Sequence, residues 1–272
     1  YPSNDTWRAT NPLPNLRFRF GSVNVANFIY VFGGRNAADE LVCEVDVFDV
    51  TTEQWATLPE VWEDCTSDLA AFAVSDKIYL AGGYSSNYTT SNNVTLANID
   101  YDVNGIPLSV EFSPIAPMNA KRGDHNCWTD GTVSAYCVGG FDENFEVLNS
   151  VERFSAGDGS WQLVAPMNIG RGDFVLSYVN DHLTVVGGET SSNLGYEIGV
   201  TDVEWYDLEN DCWEYSIDIF ELPYRRFRFG GAVDDDQSKL YVFGGQGEQI
   251  NGQYQLEKTV FAYQELNADS AS

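Results

Sequence analysis

The sequence is poor in basic residues and contains no long apolar run. Its 272 residues include 14 lysines and arginines against 41 aspartates and glutamates, which gives a formal net charge of −27. A negative field of that size repels nucleic acids and anionic membrane surfaces, so neither is expected as a partner. No apolar stretch approaches the roughly 18 residues of a membrane span, so no membrane insertion is expected.

Histidine is also scarce, which leaves little material for metal chemistry. Only His125 and His182 are present, and no His-x-x-x-His or Cys-x-x-Cys spacing occurs. The chain also lacks a Gly-x-Ser-x-Gly nucleophile motif and a phosphate-binding glycine loop. We therefore predict a protein without catalytic activity, metal or cofactor.

The chain is rich in glycine and aromatic residues, and these are arranged in repeats. Five glycine doublets each end an apolar segment, at intervals of 48 to 57 residues: Gly33-Gly34, Gly82-Gly83, Gly139-Gly140, Gly187-Gly188 and Gly244-Gly245. A second apolar segment precedes each of them across a polar turn, which is the pattern of a β-hairpin. An alternating segment and a tryptophan segment, as at Trp55, Trp161 and Trp213, follow most doublets. Four short strands per repeat predict an all-β propeller.

The order of these features resembles the kelch motif. A double glycine is followed by a Tyr/Phe-Asp pair, a tryptophan, and then Leu-Pro or Pro-Met before a basic residue. The resemblance covers nearly the whole chain and implies one five-bladed kelch-type β-propeller domain over residues 1–272. The expected blades are about 16–62, 63–119, 120–168, 169–223, and 224–266 together with 5–14. The second repeat departs from the motif with Phe112 in place of tryptophan, and the fifth lacks its tryptophan segment.

The N-terminus contains a segment that matches the one missing from the fifth repeat. Residues 5–14, with Trp7 and Pro14, read like residues 53–59 with extra turn residues. We expect this segment to supply the outer strand of the last blade and so to close the ring. The alternative is that the chain is a fragment of a larger ring.

The segments that precede the first strand of each blade align into two columns of charged residues. The first column is Arg17, Thr66, Arg122, Arg171 and Arg226, and the second is Arg19, Asp68, Asp124, Asp173 and Arg228. In a strand, residues two apart share a face. Because the first strand of a kelch blade lines the central channel, we expect two stacked rings there. Their six arginines and three aspartates carry a net charge of +3.

Two interpretations of these rings remain open. In the first, the charges pair among themselves, Arg122 with Asp124, Arg171 with Asp173, and Arg19 or Arg228 with Asp68. In the second, the excess guanidinium groups bind an anionic peptide or glycan. The resemblance to kelch substrate-adaptor propellers supports the second, because arginines at this position and after the glycine doublet hold acidic peptides there. It adds Arg35, Tyr84 and Phe141 to the candidate ligand-binding residues.

The sequence Arg-Gly-Asp occurs twice, at residues 122–124 and 171–173. It suggests an integrin-type adhesion site. Both copies fall at the same point of the repeat, however, where the symmetry of the fold explains an arginine and an aspartate without any partner. We therefore prefer the interpretation from the fold and keep adhesion as an alternative.

Cysteines and glycosylation sequons favour an extracellular or cell-surface location. Cys127 and Cys137 lie in the two strands of one predicted hairpin, where a disulfide is geometrically reasonable, and Cys43 with Cys65 is a second candidate pair. Sequons occur at Asn4, Asn87 and Asn93. The predicted function is an extracellular module that binds a protein or glycan, with an anionic ligand preferred. Alternatives are an intracellular protein-interaction propeller of the substrate-adaptor kind and, third, an enzyme with a metal in the channel.

Overall fold

Apolar segments that end in glycine doublets form the inner hairpins of five antiparallel sheets. The computed structural model describes residues 8–191, 197–215, 221–234, 239–250 and 253–264. Within these ranges all regular secondary-structure elements are β-strands, and no helix has the length and apolar character needed to cross a membrane.

The first three blades each contain four strands in sequence order. Blade 1 consists of β1 (Gly21–Val25), β2 (Phe28–Phe32), β3 (Glu44–Asp49) and β4 (Gln54–Val61). Blade 2 consists of β5 (Ala70–Val74), β6 (Lys77–Ala81), β7 (Val94–Tyr101) and β8 (Pro107–Ile115). Blade 3 consists of β9 (Asn126–Thr129), β10 (Ser134–Val138), β11 (Val151–Ser155) and β12 (Ser160–Val164). The kelch-type propeller predicted from the repeats is confirmed.

The last two blades each carry an extra hairpin after the glycine doublet. Blade 4 begins with β13 (Val175–Val179) and β14 (His182–Val186), followed by the extra hairpin of β15 (Glu189–Ser191) and β16 (Glu197–Gly199). It ends with β17 (Val203–Asp207) and β18 (Cys212–Tyr215). Blade 5 consists of β19 (Gly230–Val233), β20 (Lys239–Phe243) and β23 (Val260–Gln264), with the extra hairpin of β21 (Gln246–Ile250) and β22 (Gln253–Leu256). The described part of blade 5 therefore has three sheet strands.

The apolar core is divided among the interfaces between neighbouring blades. Tyr30 and Phe32 of blade 1 pack with Leu80 of blade 2, and three further clusters join blade 2 to blade 3, blade 3 to blade 4 and blade 4 to blade 5. Burial between stacked sheets stabilises the ring but has no preferred direction. The relative position of the blades therefore needs directional contacts as well.

The N-terminal segment packs beside the outer strand of blade 1. The Trp55 indole nitrogen donates to the carbonyl oxygen of Asn11 at 2.9 Å. Trp161 and Trp213 donate in the same way to the residue before a proline of the preceding blade, Ala116 and Ala165. Relative to blade 1, Asn11 therefore occupies the position that Ala116 and Ala165, at the ends of blades 2 and 3, occupy relative to the blades that follow them. Residues 5–7 of the predicted closing strand lie outside the described residues, so ring closure by that strand stays a prediction.

The second-column residues break the extended backbone just before the first strand of each blade. All five have positive φ, between 52° and 57°, in the left-handed region that non-glycine residues rarely adopt. Four backbone hydrogen bonds of 2.7 to 3.1 Å join them in series, each from one residue's amide to the carbonyl of the one before. The left-handed residues therefore form a chain of contacts around the axis.

Candidate functional site

The first-column arginines lie inside the blades, not at the channel. Arg122, Arg171 and Arg226 are fully buried and Arg17 is 9% exposed. In blade 4, Arg171 Nη1 donates to the carbonyl oxygens of Gly187 at 2.8 Å and Asp202 at 2.9 Å. Its Nη2 forms an ion pair with Glu204 of β17, which is also fully buried. The guanidinium thus joins the glycine doublet to the third strand of its own blade.

Blades 1 and 3 repeat this arrangement. Arg17 pairs with Asp46 and Arg122 with Glu152, each at 2.7 Å, and both arginines also donate to the first glycine of their doublets. In blade 5, Arg226 instead contacts the Thr259 carbonyl oxygen at 3.0 Å, with Glu257 at 3.6 Å. Each of these arginines is matched by acceptors of its own blade.

The predicted placement of the first column at the channel is therefore wrong, whereas the second column does line it. The expected pairs of Arg122 with Asp124 and of Arg171 with Asp173 are also wrong, since the arginines pair with Glu152 and Glu204. Residues two apart share a face only where the backbone is extended. The left-handed φ of each second-column residue turns its side chain away from that of the first-column residue. Arg17, Arg122, Arg171 and Arg226 are consequently too buried to bind a ligand at the channel mouth.

The channel is lined by the second column, in which carboxylates outnumber arginines. Arg228 Nε donates to Asp173 at 2.9 Å and its Nη2 to Glu189 at 3.1 Å. Arg19 lies 3.6 Å from Asp68, as one of the sequence interpretations expected. Asp68, Asp124 and Asp173 line a cavity of about 180 Å³ together with the two arginines, and Glu189 adds a fourth carboxyl group on Arg228. The predicted excess of positive charge, and with it the basis for an anionic ligand, is absent from this cavity.

Crowding of these carboxyl groups changes their protonation. Burial, followed by the charge of Asp68, raises the pKa of Asp124 to about 7. Burial and the charge of Asp124 raise the pKa of Asp173 to about 6, and burial also raises the pKa of Asp68. The charge of Asp68 beside it favours the protonated form of Asp124. Near neutral pH the cavity is therefore only partly ionised.

The residues after the glycine doublets pack on the strand-start segment of the next blade. Tyr84 is 1% exposed and its ring covers Gly123, where a Cβ atom would overlap with the ring. Phe141, 5% exposed, covers Gly172 in the same way. The Tyr84 hydroxyl also donates to Asp124 at 3.0 Å. Both Arg-Gly-Asp sequences thus consist of a buried arginine, a glycine under an aromatic ring and a channel aspartate, so neither is displayed as an adhesion loop.

Arg35 occupies the corresponding position in blade 1 and ties its loop to blade 2. It is fully buried, and its guanidinium donates to Ser67 Oγ at 3.0 Å and to the Ser85 carbonyl oxygen at 2.6 Å. The ring of Tyr88 lies 3.8 Å away from the guanidinium carbon. We call the surface formed by these loops and the strand-start segments the upper face.

Comparisons with known proteins agree with the propeller fold. The family model described as Attractin/LZTR1 beta-propeller matches residues 3–255. The chain belongs to this family of kelch-repeat propellers.

Relatives of this Attractin/LZTR1-type propeller include Kelch-like proteins that are much longer. Kelch-like protein terF of Aspergillus terreus is 26% identical over 227 residues, which are 80% of this chain and 48% of the relative. Human Kelch-like protein 34 is 22% identical over 214 residues, 78% of this chain and 32% of the relative. The solved structure of YjhT superposes with a TM-score of 0.76 at 14% identity, covering 94% of this chain and 84% of that one. The chain thus spans about half or less of the length of the two Kelch-like proteins.

Sequence reasoning missed the carboxylates that hold the first-column arginines of this propeller. Asp46, Glu152 and Glu204 lie on the third strands, each directly after a valine. Blade 2 has Thr95 at this position and Thr66 in the first column. Among blades 1 to 4 the acid is therefore absent only where the arginine is also absent, and this joint change could have indicated the pairing; blade 5 departs from it, with Arg226 present and Phe261 at the position of the acid.

The predicted cysteines and sequon asparagines do not line the channel cavity. Cys127 and Cys137 face each other across β9 and β10 and form a disulfide, with Cα atoms 4.1 Å apart, and Cys43 and Cys65 form a second one. His125 Nδ1 or Nε2 lies within 4.8 Å of the Cys127 and Cys137 sulfurs, but disulfide sulfurs are not thiolate ligands. Asn87 and Asn93 are exposed, and Asn4 lies outside the described residues. Glycosylation stays a prediction.

We expect that removing one partner of a buried arginine–carboxylate pair lowers the free energy of unfolding more than removing both partners does. Arg122→Thr leaves Glu152 buried without its counter-charge, so the free energy of unfolding should fall by about 3–5 kcal/mol. Arg122→Thr combined with Glu152→Thr recreates the pair found in blade 2 and should recover roughly half of that loss. Urea unfolding measures all three proteins.

Arg153→Thr is the matched control for this experiment, because Arg153 is the exposed neighbour of Glu152 on the same strand. It should cost less than about 1 kcal/mol. A double variant that is as unstable as Arg122→Thr alone would contradict the pairing argument.

The channel carboxylates predict a specific pH dependence of stability. Because the pKa of Asp124 is raised in the folded protein to about 7, the folded state binds this proton more tightly than the unfolded chain does. The stabilisation is complete below the unfolded pKa of about 3.9 and is lost as pH rises through the folded value. Asp124→Asn should therefore raise the free energy of unfolding at pH 8 by roughly 2 kcal/mol more than at pH 5.

Thermal or urea unfolding of both proteins at the two pH values tests this. Asp158→Asn serves as the control, since hydrogen bonds from Ser160 to the exposed Asp158 lower the pKa of that carboxyl group. Its effect should be equal at pH 5 and pH 8. Equal effects of Asp124→Asn at both values would contradict the prediction.

Proposed function

We propose that this propeller is a non-catalytic protein-binding module whose partner contacts the upper face. The observation that carries the proposal is a set of exposed aromatic side chains beside the channel mouth. Phe18, Phe20 and Phe145 are 47%, 41% and 56% exposed. Exposed aromatic residues are costly in water and are enriched in protein interfaces.

Two of these side chains adjoin the channel residues described above. The ring of Phe145 stacks on that of Tyr84, with centroids 5.8 Å apart, and Phe20 lines the channel cavity. Arg19 and Arg228 lie at the same mouth with side chains 37% and 38% exposed. Rigid aromatic anchors next to partly exposed arginines have the composition of binding hot spots.

The relatives favour an intracellular protein-interaction propeller of the substrate-adaptor kind. They are Kelch-like proteins, and the matched part makes up half or less of each. In such an arrangement the propeller selects the partner, and other parts of the longer protein act on it. For this chain that role is a proposal.

A second candidate is an extracellular binding module. It is supported by the two cysteine pairs at bonding distance and by the exposed sequons at Asn87 and Asn93. Stable disulfides are typical of oxidising compartments. The upper face would serve the same binding function in either location.

The binding proposal predicts that aromatic substitutions on the upper face weaken partner capture. Biotinylated propeller is incubated with extract of its source, and proteins retained by wild type are identified, purified and titrated. Phe18→Ala with Phe145→Ala should raise the Kd of the retained partner about tenfold or more.

Val103→Ala with Val133→Ala is the control, because both valines are exposed at hairpin tips on the opposite face. It should leave the Kd unchanged. A partner bound equally by the wild type and the upper-face variant, or lost only in the control variant, would overturn the assignment of the face.

The two candidate locations predict different cysteine chemistry. Protein from the native source is alkylated without reduction and digested for mass spectrometry. Disulfide-linked peptides with a glycan at Asn87 or Asn93 support the extracellular module, whereas alkylated Cys43, Cys65, Cys127 and Cys137 support the adaptor. Cys212, which has no partner sulfur, should be alkylated in both cases.

A further inference from the structure

Blade 2 lacks the buried charged pair that blades 1, 3 and 4 use. Thr66 stands at the first-column position and Thr95 at the position of the third-strand acid, and both are buried. Thr66 Oγ1 donates to the Gly82 carbonyl oxygen at 2.9 Å, which reproduces one of the contacts of an arginine. Two threonines are far smaller than an arginine and a glutamate.

The difference in size leaves a cavity of about 150 Å³. Its lining includes Thr66, Gly82, Asn93 and Thr95. These are the repeat equivalents of Arg171, Gly187, Asp202 and Glu204, which form the arginine site of blade 4. The cavity therefore lies where the guanidinium group and its counter-ion lie in blade 4.

The cavity is open to the surface through a polar rim. Asp64, Asn93 and Pro117 line it and are exposed. Asp64 places a carboxylate there, in a chain whose net charge of −27 attracts cations. The rim belongs to the side of the ring that carries the glycine doublets, so a partner on the upper face can reach it.

The cavity also contains an indole group that needs an acceptor. Trp62 is 4% exposed and lines the cavity, and its Nε1 has no hydrogen-bond acceptor among the described residues. An occupant that suits the site offers several planar donors to carbonyl and carboxylate oxygens and one acceptor to the indole. An arginine residue within a peptide has both, through its guanidinium group and its backbone carbonyl.

We propose that this cavity binds the guanidinium group of an arginine residue supplied by a partner protein. The partner's arginine takes the place that the chain's own arginines fill in the other blades, with Asp64 as its counter-ion. Lysine fits less well, because its point charge lacks the planar fork that contacts two carbonyl oxygens at once. The identity of the natural occupant rests on the proposed binding function, whereas the chemistry of the site does not.

N-acetyl-arginine amide tests the site without any partner. The propeller is made without N-glycans, because Asn93 lies at the rim, and the Trp62 indole resonance is identified by its loss in Trp62→Phe. Titration should shift this resonance saturably. N-acetyl-citrulline amide, which has the same shape without the charge, should bind about tenfold more weakly, and N-acetyl-alanine amide should produce no shift.

Thr66→Arg should fill the cavity from within and abolish the saturable shift. Thr132→Arg, at an exposed hairpin tip, adds the same charge and should bind like the wild type. If Thr66→Arg does not fold, Asp64→Asn provides the second variant and should weaken binding about tenfold.

Three results would overturn the proposed site. They are no saturable shift in the folded wild type, the same shift in folded Thr66→Arg, or equal affinity for the citrulline compound. Because no partner is present, these results are independent of the upper-face experiment. Binding of the arginine compound together with a failed upper-face experiment would leave the guanidinium site standing and reject only the proposed partner surface.

Discussion

The arrangement of the blades depends on the residue at the start of each one, which contacts two blades at once. Its backbone carbonyl accepts a hydrogen bond of 2.8 to 3.0 Å from the glycine doublet of the preceding blade, as seen for Thr66, Arg122, Arg171 and Arg226. Where the residue is arginine in blades 1, 3 and 4, its guanidinium holds the doublet and the third strand of its own blade. Apolar packing brings the sheets together, and this directional contact fixes how they stand relative to each other.

A buried guanidinium imposes a strict requirement on the rest of the blade. All of its donors must find acceptors away from water, and its charge must be matched. The first glycine of the doublet meets part of this requirement through its carbonyl oxygen, which accepts from the guanidinium. A side chain at this position would overlap with the next blade, since a Cβ on Gly139 would lie 2.5 Å from the Arg171 carbonyl oxygen. The third-strand carboxylate balances the charge, and a backbone carbonyl such as that of Asp202 accepts a further hydrogen bond; Arg122 Nε has no acceptor among the described residues. Blade 2 satisfies the same rule by having neither charge, which leaves it with the cavity beside Trp62.

The repeats predicted the fold because their signals are local. Glycine doublets, apolar alternation and tryptophan segments each specify a strand or a turn within a few residues, and five copies in series leave a propeller as the solution. The predicted site was less accurate. Arg19 and Asp68 do meet at the channel, whereas Arg17, Arg122, Arg171 and Arg226 are inside the blades. The prediction assumed extended backbone through residues such as Asp124, whose φ of 52° reverses the direction of the side chains around it.

The sequence by itself determined the number of repeats, the four-strand pattern of the repeat and the positions where charges concentrate, but not the extra hairpins of blades 4 and 5. Only the tertiary structure decided which charges meet and which of them face solvent. The arginine–carboxylate pairs join residues 29 to 33 apart in the chain, so no local pattern specifies them. They follow from one left-handed residue per blade, which separates two columns that an extended strand would have kept together. That separation turns an expected basic ring into a channel lined by carboxyl groups with buried arginines behind it.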